Sequence, residues 1–380
     1  MLEAIPPAFS AGANRGAAMT TADPATPSSE RMSSAIFPEL MDRWFLLGAY
    51  GPRARAHMIA VWVTLAGFLV VETVWLSFSR LHFAESNWPN LIHLVLFTMI
   101  GLGMCALVLQ RLSDVTDRFG LTLQGGARRV ELFAVAALIT TLVSAVIVTY
   151  CYLGTAAALP LQDARLSRID HWLGFDWVGF VELVNSSPLA SQLLVEAYRS
   201  TPYMLAGTML WFCISGQGDR LAEFFALMCL TFVGIAIGMM ILPAEGAYAY
   251  YHPSLSAYDN IGAGSGMWHH PLLMALRTGT DTLIDFTTPN SSCLVTFPSG
   301  HTILAVIITY ALRGSKWTLI PAVMINATML VSTIPHGGHH LTDLIAGGAI
   351  ALCAIFLVRL PLGFWRERTS ASGLVVLEPA

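Results

Sequence analysis

Long runs of apolar residues, broken at intervals by short polar loops, dominate this chain from about residue 56 onward. Runs of this length suit membrane-crossing helices, which need about 20 apolar residues each. Candidate spans lie at roughly 56–78, 91–110, 131–154, 189–212, 221–243, 299–313, 317–336 and 341–360, the sixth being short. The segment 160–188 is amphipathic, carries Trp172 and Trp177, and is too polar to span. It is expected to lie in the outer membrane interface. Residues 1–40, rich in Ala, Pro, Ser and Thr, read as a disordered tail without the cationic start and apolar stretch of a signal peptide.

Composition agrees. The 380 residues are 55% hydrophobic and 12% charged, about half the charge of a soluble protein. The pattern predicts an all-α polytopic membrane bundle of about eight transmembrane helices. Its parts are a tail at 1–40, a two-helix extension at 41–130, a core at 131–362 and a second tail at 363–380. A net charge of −4 gives no reason to expect nucleic acid. Five of six cysteines fall inside apolar runs and Cys293 in a loop, so neither a disulfide framework nor a cysteine metal site is implied.

Basic residues set the expected orientation. Arg43, Arg53, Arg55, Arg111, Arg118, Arg128, Arg129, Arg220, Arg313, Lys316, Arg359, Arg366 and Arg368 fall on one side if eight spans alternate. That side is cytoplasmic, with both termini, and the membrane is expected to be a bacterial inner membrane. Arg80, Arg165, Arg168 and Arg277 fall on the other side. Counting crossings also puts the start of span six and the turn between spans seven and eight on one outer face.

Those two places carry the candidate chemistry. Pro298-Ser299-Gly300-His301 opens span six. Proline and serine there make an ordinary helix start, with Ser299 as cap. The free N–H groups of such an end also bind anions, and Gly300 leaves room for a phosphate oxygen. His336-Gly337-Gly338-His339-His340-Leu341-Thr342-Asp343 opens span eight. Four residues separate His339 from Asp343, which on a helix stacks them on one face. An aspartate accepting from one ring nitrogen leaves the other electron-rich, as in catalytic triads. His340 and His336 are loop residues or substrate contacts on this reading. Zinc is the weaker alternative: the spacing is not that of zinc hydrolases, and adjacent His339 and His340 diverge by about 100° on a helix.

Phosphate charge must come from arginine, since Lys316 is the only lysine and lies on the cytoplasmic side. Arg277, in the long loop 244–297, and Arg199, inside span four, are the candidate clamps. The plainer reading of Arg199 is an ion pair with Glu196 or Glu223. Tyr198, Asp281, Asp285 and Glu245 could line the site, and each also has a simpler structural reading.

Taken together, these residues resemble the type 2 phosphatidic acid phosphatase (PAP2) superfamily, whose pattern is Lys-x6-Arg-Pro, Pro-Ser-Gly-His and Ser-Arg-x5-His-x3-Asp. The second segment is complete here. The third is present as Ser332, His339 and Asp343, with Thr333 in place of arginine. The first is not recognisable: Gln192 stands at the lysine's spacing from Arg199, and Pro202 comes late. Asp163, Asp170, Gly174-Phe175-Asp176 and the loop from Arg277 are also similar to the branch with the inositol phosphorylceramide synthases. The resemblance covers about 131–360 and implies a six-helix core that needs no cofactor or metal. It implies His339 as the nucleophile forming a phosphohistidine, Asp343 as its orienter and His301 as the acid. Ser299, Gly300 and arginines would bind the phosphoryl oxygens of a lipid phosphate or phospholipid, with water or an alcohol as acceptor. The missing lysine and arginine point to a divergent donor, a phosphodiester lipid and transfer. The alternative is a non-catalytic lipid-phosphate binding or transport protein on the same fold.

Overall fold

The computed structural model describes residues 51–253, 258–262, 265–287 and 294–360. The two expected tails and Cys293 lie outside the described residues. In chain order the helices are α1 (Pro52–Phe78), α2 (Asn87–Arg111), α3 (Arg118–Ala156), α4 (Asp163–Trp172), α5 (Trp177–Asn185), α6 (Pro188–Arg199) and α7 (Thr201–Ile214). They continue as α8 (Gly218–Ile241), α9 (Ala247–Tyr251), α10 (His270–Thr278), α11 (Gly300–Ala311), α12 (Lys316–Ser332) and α13 (Leu341–Arg359). Strands β1 (His82–Phe83) and β2 (Leu283–Ile284) pair in parallel. The fold is an all-α polytopic bundle.

Among the described residues, five helices are long and apolar enough to cross a membrane: α1, α2, α3, α8 and α13. The count becomes six if α5 and α6, bent by 109°, form one broken span. The expected eight are fewer by this measure because three apolar stretches form shorter helices. Span four is interrupted at Ser200. Pro202 has no N–H for the Tyr198 carbonyl one turn back, and Thr201 Oγ1 takes that carbonyl instead, at 2.9 Å. The helix at span six, α11, has only 12 residues, and α12, at span seven, has 17. The third span is longer than its apolar run: α3 starts at Arg118, where Asp117 caps it, and runs 39 residues.

Helix α8 is the central post, burying Phe224, Phe225, Leu227 and Phe232 against α1, α3 and α13. Lipid tails are as apolar as these side chains, so close packing decides which helices meet. Small residues allow that approach. A Cβ on Gly234 would stand 2.6 Å from Ile350, and one on Gly347 would stand 2.6 Å from the Ser299 carbonyl. Gly347 thus lets α13 lie against the start of α11.

Direction along the bundle follows from cross-links. His57 Nε2, near the start of α1, lies 3.3 Å from the Val358 carbonyl near the end of α13. Arg313, just after α11, pairs with Glu223 near the start of α8 at 2.8 Å. The opposite end gathers the starts of α11 and α13 with α4, α5, α9 and α10.

Candidate active site

Each half of the site is a helix start. At α11, Ser299 Oγ accepts the Thr302 N–H at 3.3 Å, an ordinary N-cap, and Ser299 N donates to the Asp343 carbonyl at 3.1 Å. That bond joins the two sequence motifs directly. At α13, Asp343 sits in the first turn, fully buried. Its Oδ2 takes the His340 N–H at 3.0 Å and lies 3.1 Å from His339 Nδ1. The His339–Asp343 contact forms, but not between helix neighbours as the spacing suggested. His339 stands outside the helix, one residue before its N-cap, and the chain folds it back onto Asp343. Gly338, at φ +69°, makes the turn.

With Nδ1 on the carboxylate, His339 Nε2 faces inward, 3.4 Å from Ser299 Oγ. The His301 ring lies 6.2 Å from the His339 ring, centre to centre. Tyr198 stacks on the His301 ring at 4.4 Å. Nothing lies within 4 Å of where a Gly300 side chain would begin, so there is open space beside the first residue of α11, where a helix leaves its first N–H groups without helical partners. His301, His339, Asp343, Ser299, Gly300 and Tyr198 therefore converge.

The arginines do not join them. Arg199 is 67% exposed along its side chain and pairs with Glu196 at 3.3 Å, its plainer reading. Arg277 Nη2 donates to the Leu159 carbonyl, just past the end of α3, at 2.9 Å. Thr333, at the family arginine's position, is fully buried, and its carbonyl accepts the His339 N–H at 3.2 Å. Asp281 accepts from Leu283 N, and Asp285 accepts from Thr287 and from Ser86 across the β1–β2 pairing. Glu245 pairs with His270 at 3.2 Å. Among the described residues, no group of three or more His, Cys, Asp or Glu is placed to hold a metal ion.

His340 turns away from the cluster. It is completely buried, with Nε2 3.4 Å from Asp163 Oδ1 and Nδ1 3.5 Å from Asp170 Oδ2. These are ion-pair distances without hydrogen-bond alignment. Burial disfavours its charged form, but the two carboxylates, with Asp343 behind them, outweigh that and hold His340 up at about 9. Burial likewise opposes charge on Asp170, yet His340 and Thr342 bring it below the usual carboxylate range.

Several supporting residues have roles that the sequence does not indicate, although Asp163 and Asp170 figure in the family resemblance. Asp170 caps α13 from a distance, accepting Leu341 N at 2.9 Å and Thr342 N at 2.8 Å. Asp163 accepts the Glu245 and Gly246 N–H groups at 3.1 and 3.0 Å. Trp177 Nε1 donates to the His339 carbonyl at 3.0 Å. His269, bonded to the Glu245 carbonyl at 3.0 Å, is pushed down to about 4 by burial, with His339 adding to the effect.

A helical bundle with several membrane-capable helices thus brings two histidines, a buried carboxylate and a helix start together at one end. A family model described as the PAP2 superfamily matches residues 164–357, just over half of the chain, and the chain belongs to that superfamily. Its members are phosphatases and related phosphotransferases acting on phosphate esters. No curated protein and no solved structure matches the chain.

Proposed function

We propose that this protein is a membrane-embedded lipid phosphatase or phosphotransferase working through a phosphohistidine on His339. The observation that carries this is the Asp343 Oδ2–His339 Nδ1 contact at 3.1 Å, which commits one ring nitrogen and leaves Nε2 toward Ser299 and His301. Nε2 attacks phosphorus, and the N–P bond forms as the P–O bond to the leaving alcohol breaks. Asp343 stabilises the positive charge that grows on the ring. His301 gives the departing oxygen its proton. In the second half His301 takes a proton from water, or from a lipid or sugar hydroxyl. That oxygen attacks phosphorus and the N–P bond breaks, which restores His339.

Phosphoryl oxygens would rest against the Gly300 and His301 N–H groups and the Ser299 hydroxyl, whose hydrogen points to His339 Nε2 at 3.4 Å before substrate binds and turns to a phosphoryl oxygen afterwards. Ion pairing of His301 with a carboxylate is absent among the described residues, so the anionic substrate supplies the counter-charge for its proton. The site end is the outer face, because basic residues collect at the other end: Arg53, Arg55, Arg111, Arg118, Arg220, Arg313 and Arg359. The substrate reading keeps the resemblance to inositol phosphorylceramide synthases, a phosphodiester lipid with transfer to an alcohol.

The test is a substrate radiolabelled in the phosphoryl group, mixed with purified protein and quenched within milliseconds. Acid-labile, alkali-stable label should appear on the wild type and be absent from His339→Ala. A protein that binds the lipid yet never labels, and releases neither phosphate nor a new lipid, is a binding protein and the proposal fails.

A further inference from the structure

The nucleophile's neighbour is a buried group that the proposed chemistry leaves unused. We infer that His340 is a positioning residue, whose side chain ties α4 to the start of α13 and so fixes the adjoining His339–Asp343 couple. This rests on the reading of His339 as nucleophile.

The geometry is a closed clip. His340 lies between Asp163 Oδ1 at 3.4 Å and Asp170 Oδ2 at 3.5 Å, both on α4. Each carboxylate also holds backbone on a different strand of chain. Asp170 takes the Leu341 and Thr342 N–H groups, and Asp163 takes those of Glu245 and Gly246. The His340 N–H reaches the same Asp343 oxygen that orients His339. Displacing the His340 backbone therefore changes the bond that fixes the nucleophile's ring.

Charge is what the clip needs. Two carboxylates with little or no exposure face one imidazole, and the other basic group that acts on Asp163, His269, is held toward its neutral form by burial. The other groups around the ring are Asp343 from α13 and the Tyr250 and Tyr251 rings of α9, each 6.1 Å away. None is basic. Losing the proton should loosen the α4–α13 joint and with it the His339–Asp343 alignment.

The experiment compares wild type, His340→Gln and His340→Lys across pH 6 to 10, reading turnover, the rate of phosphohistidine labelling and the melting temperature. His340→Gln should lower kcat about 10- to 100-fold with KM little changed, as loss of an orienting partner does. Wild-type kcat and melting temperature should both fall as pH rises through about 9, and both alkaline declines should be missing in the Gln variant. His340→Lys, which keeps a cation, should recover more kcat than Gln. A Gln variant with wild-type kcat overturns the inference, as does one that keeps the alkaline fall in melting temperature. If wild type never labels yet shows a melting decline that Gln removes, the phosphohistidine reading fails while the tie stands.

Discussion

At the scale of single residues, Asp343 Oδ2 carries two donors at once, the His339 ring and the His340 backbone. Asparagine would keep the shape and lose the charge that steadies a protonated imidazole. Asp343→Asn should therefore cost about 10²- to 10⁴-fold in kcat with the protein still folded, which steady-state turnover would check. His301→Ala should slow substrates with poor leaving groups far more than good ones such as p-nitrophenol. Equal losses across a leaving-group series would rule out an acid role. The residues in these tests were legible because each motif is a short contiguous stretch whose glycine, histidine and aspartate have few other reasons to stand together. Asp170 figured only in the family resemblance, and its capping role, like the bond from Trp177, was not legible, because these contacts act across 171 and 162 residues of chain. No local pattern marks a carboxylate that caps a helix so far away. Arg199 illustrates the reverse: its depth in an apolar run suggested a clamp, but the helix break beside it leaves the side chain exposed and paired with Glu196.

Among the elements, the contact between α11 and α13 sets the site, and it depends on one missing side chain. A Cβ at Gly347 would meet backbone, the Ser299 carbonyl at 2.6 Å, which cannot swing aside. Gly347→Ala should push the two helix starts apart, at about 1–3 kcal/mol. A lower melting temperature and a weaker phosphohistidine signal should appear together; an unchanged melting temperature would show the contact to be slack. Helix identities were readable from apolar run length, and α1, α2, α8 and α13 begin and end within a few residues of expectation. Where Pro202 intervenes, or where Asp117 starts α3 well before its apolar part, local capping and backbone chemistry override hydropathy. The His339–Asp343 contact carries the same lesson, since the right pair meets through a turn and not along a helix.

For the molecule as a whole, the His340 clip makes stability depend on pH. Its folded value, about 9, lies above the ordinary 6.5. The contribution is therefore fully present below about pH 6.5 and is lost as pH rises through about 9. The shift corresponds to something on the order of 3 kcal/mol, which thermal melts in detergent at pH 6.5 and 9.5 should register as a lower midpoint at the higher pH. The position of the amino-terminal pair of helices was not legible, because hydropathy says where a helix is and not what it leans on. In the structure α1 lies along α8, and β1 adds a short parallel ladder to β2, with Asn87 bonding Ile284 and Phe286 at 2.7 and 2.8 Å. The helical hairpin is thus sewn at its tip to the long segment that leads into α11. Two separately translated fragments, divided in the loop between Arg111 and Arg118, should consequently find each other in the bilayer and reconstitute activity without a covalent link.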